Sequence, residues 1–166
     1  MSADPSILDP RVRKALETLG VAYETLECAP ELADTAAFCE HYGIGADEAC
    51  NAIVVALKGE PRRYVACLVT ADSKLDVNHK VSKVVGVRRL SFASADETLA
   101  LTGMLIGGVT IFGLPPDMPV LIDERVMTRP SIIAGGGNRS SKIRLAPSEL
   151  LKIPAVRVED LAVARG

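Results

Sequence analysis

Two glycine clusters are the stretches best suited to chemistry: Gly107-Gly108-Val109-Thr110-Ile111-Phe112-Gly113, and Gly135-Gly136-Gly137 ahead of Asn138-Arg139. Residues without a Cβ let backbone N–H groups approach a ligand closely and hold an oxyanion, although a glycine pair also makes an ordinary turn. Neither cluster ends in the Lys-Ser/Thr of a phosphate-binding loop, and neither matches G-x-G-x-x-G. Asn51 is the third point of interest. In an extended run its side chain shares a face with Ile53, Val55 and Leu57, and a polar group at the mouth of an apolar face must find hydrogen-bond partners or a ligand.

Other chemistries lack their parts. His41 and His79 have no Cys or His at ligand spacing and no identifiable Ser or acid partner, so neither a metal site nor a covalent triad is indicated. Cys28, Cys39, Cys50 and Cys67 are too widely spaced for zinc or redox pairs and read as buried thiols. No cofactor is implied.

The 166 residues fit one domain, 1–166, and 48% hydrophobic with only 4% aromatic residues calls for a core of Val, Leu, Ile and Ala. A net charge of −2 gives no broad attraction to nucleic acid. Local positive clusters do occur, at Lys74, Lys80, Lys83, Arg88 and Arg89 and at Arg139, Lys142 and Arg144, as for a short run of phosphates or a solvated surface. Apolar runs are too short for a membrane helix and the N-terminus lacks a secretory pattern, so a cytoplasmic protein is expected. No feature fixes an oligomeric state.

The elements that must position these residues are signalled locally. Asp9-Pro10 starts a helix with a Val12, Ala15, Leu16, Leu19 stripe and Gly20 as its stop, and Val21 to Leu26 reads as a strand. A short helix is predicted over 35–42, capped by Asp34 or Thr35. Asn51 to Leu57 and Tyr64 to Val69 flank Lys58-Gly59-Glu60-Pro61 as an antiparallel hairpin whose first strand lies mid-sheet, covered on both faces. Asp76 caps a helix ended by Gly86, a strand runs from Val87 to Phe92, and Ser94-Ala95-Asp96-Glu97 is a capping box. Strands follow at Val120 to Ile122, Ile132-Ile133 and Ile143 to Leu145, with a last helix from Pro147. The order predicts an α/β (α+β) fold, a mixed, mostly antiparallel central sheet surrounded by helices.

Along nearly its whole length the chain resembles the YbaK and prolyl-tRNA-synthetase editing-domain family. The resemblance is carried by Ala52-Ile53-Val54-Val55, Val65 to Val69, Ala71-Asp72-Ser73-Lys74-Leu75-Asp76 and Thr102-Gly103. It continues through Gly107 to Leu114, Val120 to Glu124, and Gly135-Gly136-Gly137-Asn138-Arg139. It implies a metal-free hydrolase that cleaves the ester between a small mischarged amino acid and its transfer RNA. The implied partners are the aminoacylated acceptor end and, beside it, an aminoacyl-tRNA synthetase. An aminoacyl ester is already reactive and needs orientation and oxyanion stabilisation more than a strong base.

By the same resemblance, Gly108 and Thr110 present amides to the ester carbonyl, Asn51 orients the ester or terminal phosphate, and Gly107, Val109, Ile111, Phe112 and Gly113 shape the pocket. Gly135 and Gly136 join them, Lys74 meets backbone phosphate, and Asp123 is a turn residue or holds the substrate amine. The family's hallmark Lys-Thr/Ser is replaced by Asn51-Ala52, Gly135 stands where many relatives have Ser, and Ile111 where a proline is common. Lys58 does not substitute, being on the other face. Asn lacks the charge and reach of Lys, so a binding module that has lost turnover is the alternative.

Overall fold

The computed structural model describes residues 2–165. Helix α1 (Pro10–Leu19) starts where the Asp9 carboxylate accepts from the Arg11 amide at 2.9 Å, buries Val12 and Leu16, and ends on left-handed Gly20. Strand β1 (Glu24–Glu27) begins later than the sequence suggests, and α2 (Thr35–Tyr42) inserts Phe38 into the core. The predicted hairpin is β2 (Cys50–Leu57) and β3 (Arg63–Thr70), paired Asn51 to Val69 and Leu57 to Arg63. Then come β4 (Ser73–Leu75), a π-helical turn at Val77–Val81 capped by Asp76, and α3 (Ser82–Val85). The Asp76 helix thus runs to its Gly86 stop as expected, but its first part is π-helical and wider than an α-helix.

Strand β5 (Leu90–Phe92) and α4 (Ala95–Thr102) follow, the latter with both hydrogen bonds of the Ser94–Glu97 capping box. Strands β6 (Val120–Asp123), β7 (Ile132–Gly135) and β8 (Ser141–Leu145) match their forecasts, whereas the last helix is a 3-10 segment, Pro147–Lys152. Two short strands, β9 (Arg157–Glu159) and β10 (Ala162–Ala164), complete the chain. No helix among the described residues is long and apolar enough to cross a membrane.

The main sheet has the order β5-β2-β3-β6-β9, with a three-stranded sheet β1-β8-β7 beside it and a β10-β4 pair. Five of the seven strand pairings are antiparallel, so the mixed, mostly antiparallel expectation holds. Strand β2 divides two cores: Cys50 and Val54 pack with Val12, Phe112, Ile132 and Ile143, while Val55 and Leu57 pack with Val65, Val81 and Leu121. This is the period of two in Asn51–Leu57 realised as a strand covered on both faces. Each fully buried Ile or Phe contributes about 1.5–3 kcal/mol relative to exposure, which anchors β2 as the rigid floor of the site described next.

Candidate functional site

The edge of β2 opposite β3 is only partly covered. Strand β5 pairs with it over Val55–Leu57, the Ala93 amide donates to the Val54 carbonyl at 2.9 Å, and the Ile133 amide donates to Glu48 at 3.0 Å. Between these bonds no strand lies along the edge. Because backbone groups alternate in direction, those of Ala52 point the same way as Glu48 and Val54, into the gap.

That gap is a cavity of about 320 Å³ floored by Cys50 to Val54. Gly107 and Val109 form one wall, Gly135 from the end of β7 and Lys142 from β8 another, Asp34 and Thr35 the lip, and Ala93, Thr98 and Ile106 the far end. Asn51, Gly107, Val109 and Gly135 are therefore brought together as the sequence suggests.

The two glycine clusters meet backbone to backbone. A Cβ on Gly135 would stand 2.4 Å from the Val109 carbonyl oxygen, and one on Gly108 would stand 2.4 Å from that of Asn138. The Gly137 amide donates to the Gly108 carbonyl at 2.8 Å. Asn138 locks the second loop, its Nδ2 donating to Ile7 and its Oδ1 accepting from Ser140 and Ser141. Glycine is required here for close approach, which fixes the Val109 segment against the end of β7.

Other candidates fall outside the cavity. The Gly108 amide is committed to the Leu105 carbonyl at 2.9 Å, whereas the amides of Gly107 and Val109, the cavity-lining residues that flank it, have no protein acceptor among the described residues. Thr110, Ile111 and Phe112 are buried in the core, the Thr110 hydroxyl without a partner, and Gly113 packs on the start of α1. Gly136 lies behind the cavity, its carbonyl accepting from the Asp9 amide at 3.0 Å. Lys74 is exposed on β4, opposite Val163. Asp123 is fully buried and accepts from the Leu161 amide at 2.9 Å and from Arg125, the turn role foreseen for it.

The basic cluster Arg139, Lys142, Arg144 is not a free phosphate surface. Arg144 pairs with Glu48 and Glu24, and Arg139 pairs with Asp34 at 2.9 Å and bonds the Pro30 and Ile106 carbonyls. Lys142 is only 6% exposed; its ammonium donates to the Ala33 carbonyl at 2.6 Å and the Gly107 carbonyl at 2.7 Å, with the Phe38 ring 5.3 Å away. No carboxylate lies within ion-pair distance of it among the described residues. Burial pulls its pKa below the ordinary lysine value, opposed by Cys28, Asp34 and Cys39. Sequence reading missed this placement, and it missed Thr35, whose hydroxyl donates to Asn51 Oδ1. That bond leaves Asn51 Nδ2 as a donor without a protein partner among the described residues.

The cavity is thus rich in donors, with Asn51 Nδ2, the Val109 and Ala52 amides and Lys142 around it, and its one carboxylate, Asp34, is held by Arg139. Such a site suits a ligand rich in acceptor oxygens. Burial holds the Cys50 thiol at the cavity floor up at about 12, so it is protonated at neutral pH and is no nucleophile. No group of three or more metal-ligating side chains occurs among the described residues.

A mixed sheet with a donor-lined gap in one strand edge, closed by two interlocked glycine loops, defines an editing-domain fold. The aminoacyl-tRNA editing domain model matches residues 29–153, and the chain belongs to that family. It is 32% identical over 96 residues to YwhH of Bacillus subtilis, an uncharacterized protein, covering 58% of this chain and 60% of the relative. It is 26% identical over 89 residues to EbsC of Enterococcus faecalis, which carries the provisional name of a Cys-tRNA(Pro)/Cys-tRNA(Cys) deacylase, covering 54% of each. These matches span little more than half the length of either relative. A crystal structure provisionally described as a trans-editing enzyme for prolyl tRNA synthetase superimposes with a TM-score of 0.80 at 28% identity, covering 95% of this chain and 99% of that one.

Proposed function

We propose that the protein is a trans-acting aminoacyl-tRNA deacylase that hydrolyses the ester of a mischarged transfer RNA carrying a small amino acid. The observation that supports this reading is that Asn51, Val109 and Lys142 line one small cavity beside an open strand edge. In this reading the Val109 amide and Asn51 Nδ2 receive the ester carbonyl as it becomes an oxyanion, the Ala52 carbonyl accepts from the substrate amine, and water attacks the carbonyl carbon. Tetrahedral collapse releases the ribose hydroxyl and the free amino acid. Preorganised donors of this kind stabilise developing charge without reorganisation, which is sufficient for a reactive ester. A volume of about 320 Å³ stands at the low end of ligand pockets and supports a small side chain. Four free cysteines suit a reducing compartment, and the site of action proposed is the cytoplasm, with the tRNA acceptor end as partner.

A second reading, a binding module without turnover that holds an aminoacylated end or a synthetase partner, is favoured by one observation: Asn51 brings no charge to the floor and is tied to Thr35. Pure protein incubated with tRNAs carrying Ala, Cys, Ser, Thr and Pro separates the two. Accelerated ester loss for at least one of them supports the deacylase, and saturable binding with no acceleration supports the module.

A further inference from the structure

Lys142 is the feature that the fold alone does not explain. Taking an ammonium out of water is costly unless it is paired, and replacing a buried charge with an apolar side chain is commonly neutral for stability. Here the charge is 6% exposed, lines the cavity and has no carboxylate partner among the described residues. The carbonyls of Ala33 and Gly107 take two of its three N–H groups, at 2.6 and 2.7 Å, and Phe38 offers only a ring face at 5.3 Å. Two neutral acceptors orient an ammonium but do not neutralise it. Its nearest charged neighbours do not do so either, because Asp34 is engaged by Arg139 at 2.9 Å.

We propose that Lys142 is the ligand-contacting cation of this cavity, its remaining N–H reserved for an anionic or partly anionic oxygen of the bound aminoacylated tRNA end, which places on β8 the positive charge that position 51 of β2 lacks. The inference rests on the deacylase or aminoacyl-end-binding reading of the same cavity. The two backbone bonds make the contact directional: they join the segment before α2 to the Gly107 loop and hold the ammonium between them, so little side-chain entropy is lost on binding. Arg139 bridges the same two segments through Pro30 and Ile106 and is consumed in doing so, which leaves Lys142 as the cation with capacity to spare.

The test uses a non-hydrolysable ligand, an alanyl group joined to adenosine 5′-monophosphate by a 3′-amide, titrated into the full-length protein. Lys142→Met is expected to weaken binding roughly tenfold or more, the loss of one charge-assisted hydrogen bond. The double variant Asn51→Lys/Lys142→Met is expected to recover most of it, since the second lysine returns charge to the same cavity but cannot remake the Ala33–Gly107 bridge. Equal binding by wild type and Lys142→Met overturns the inference, and so does a loss that the double variant leaves untouched, because that is the behaviour of a purely structural clamp. Should the Met variant fail to fold, the NMR signal of the Lys142 Cε methylene in the wild type decides: it moves on ligand addition if the ammonium makes contact, and an unmoved signal overturns the proposal. Wild-type protein that fails to bind the analogue at all removes the parent reading as well, whereas binding indifferent to Lys142 removes this inference alone.

Discussion

The Gly135 backbone lies against the Val109 carbonyl so closely that a Cβ at position 135 would stand 2.4 Å from that oxygen. Both residues line the cavity. Gly135→Ala must therefore displace backbone, and the displaced segment carries the Val109 amide. The expected cost is about 1–3 kcal/mol of stability, with a fall in deacylation on the order of a hundredfold from misplacement of the donor. Urea denaturation and single-turnover deacylation of the same preparation measure both. An alanine variant with wild-type rates contradicts the role given to the loop.

The buried thiols make alkaline stability predictable. Burial pushes the Cys50 and Cys67 pKa values up to about 12, against 9.0 for an unhindered thiol. A raised folded pKa means that the unfolded chain loses its protons first. The stabilisation is complete below pH 9 and declines as pH rises toward 12, by about 1.4 kcal/mol per thiol per pH unit. Urea denaturation at pH 8 and pH 10 should show a smaller decline for Cys67→Ala than for the wild type. Identical declines would place the alkaline sensitivity elsewhere.

Asp123 holds the end of the chain against the main sheet, accepting from the Leu161 amide at 2.9 Å while β10 pairs with β4. Asp123→Asn turns an N–H₂ group toward the donors of Arg125 or Leu161. The expected loss is about 1–3 kcal/mol, with faster amide exchange at Leu161 and ester hydrolysis retained. Loss of hydrolysis without loss of stability would instead give Asp123 a part in the site.

Much of this arrangement was legible in the sequence where local rules and tertiary demands agree. The apolar alternation of Asn51–Leu57, the Asp9-Pro10 start and the Ser94 capping box each became the expected element. For the glycine clusters the packing reason is hidden from sequence: Gly108 and Gly135 are required by contacts with Asn138 and Val109, which sequence does not display. By sequence alone Lys142 belongs with Arg139 and Arg144 to a local positive cluster, suited to phosphates or a solvated surface, and Ser141-Lys142-Ile143-Arg144 alternates like a strand with one wet face. In the fold, Ser141, Lys142 and Ile143 are all buried, since α2 and the Gly107 loop cover the side that alternation assigns to water. Strands β9 and β10 were missed because three-residue strands rich in charge or alanine carry almost no periodic signal.

The account depends on the ester occupying the cavity over Ala52, where the edge of β2 is open. The most direct measurement is single-turnover deacylation of the best small aminoacyl-tRNA by the wild type and by Ala52→Leu, whose added side chain fills the space above the floor, with thermal melting to verify folding. The account predicts hydrolysis well above the uncatalysed rate for the wild type and a return to the uncatalysed rate for Ala52→Leu at unchanged fold. Equal rates for the two folded proteins would contradict it.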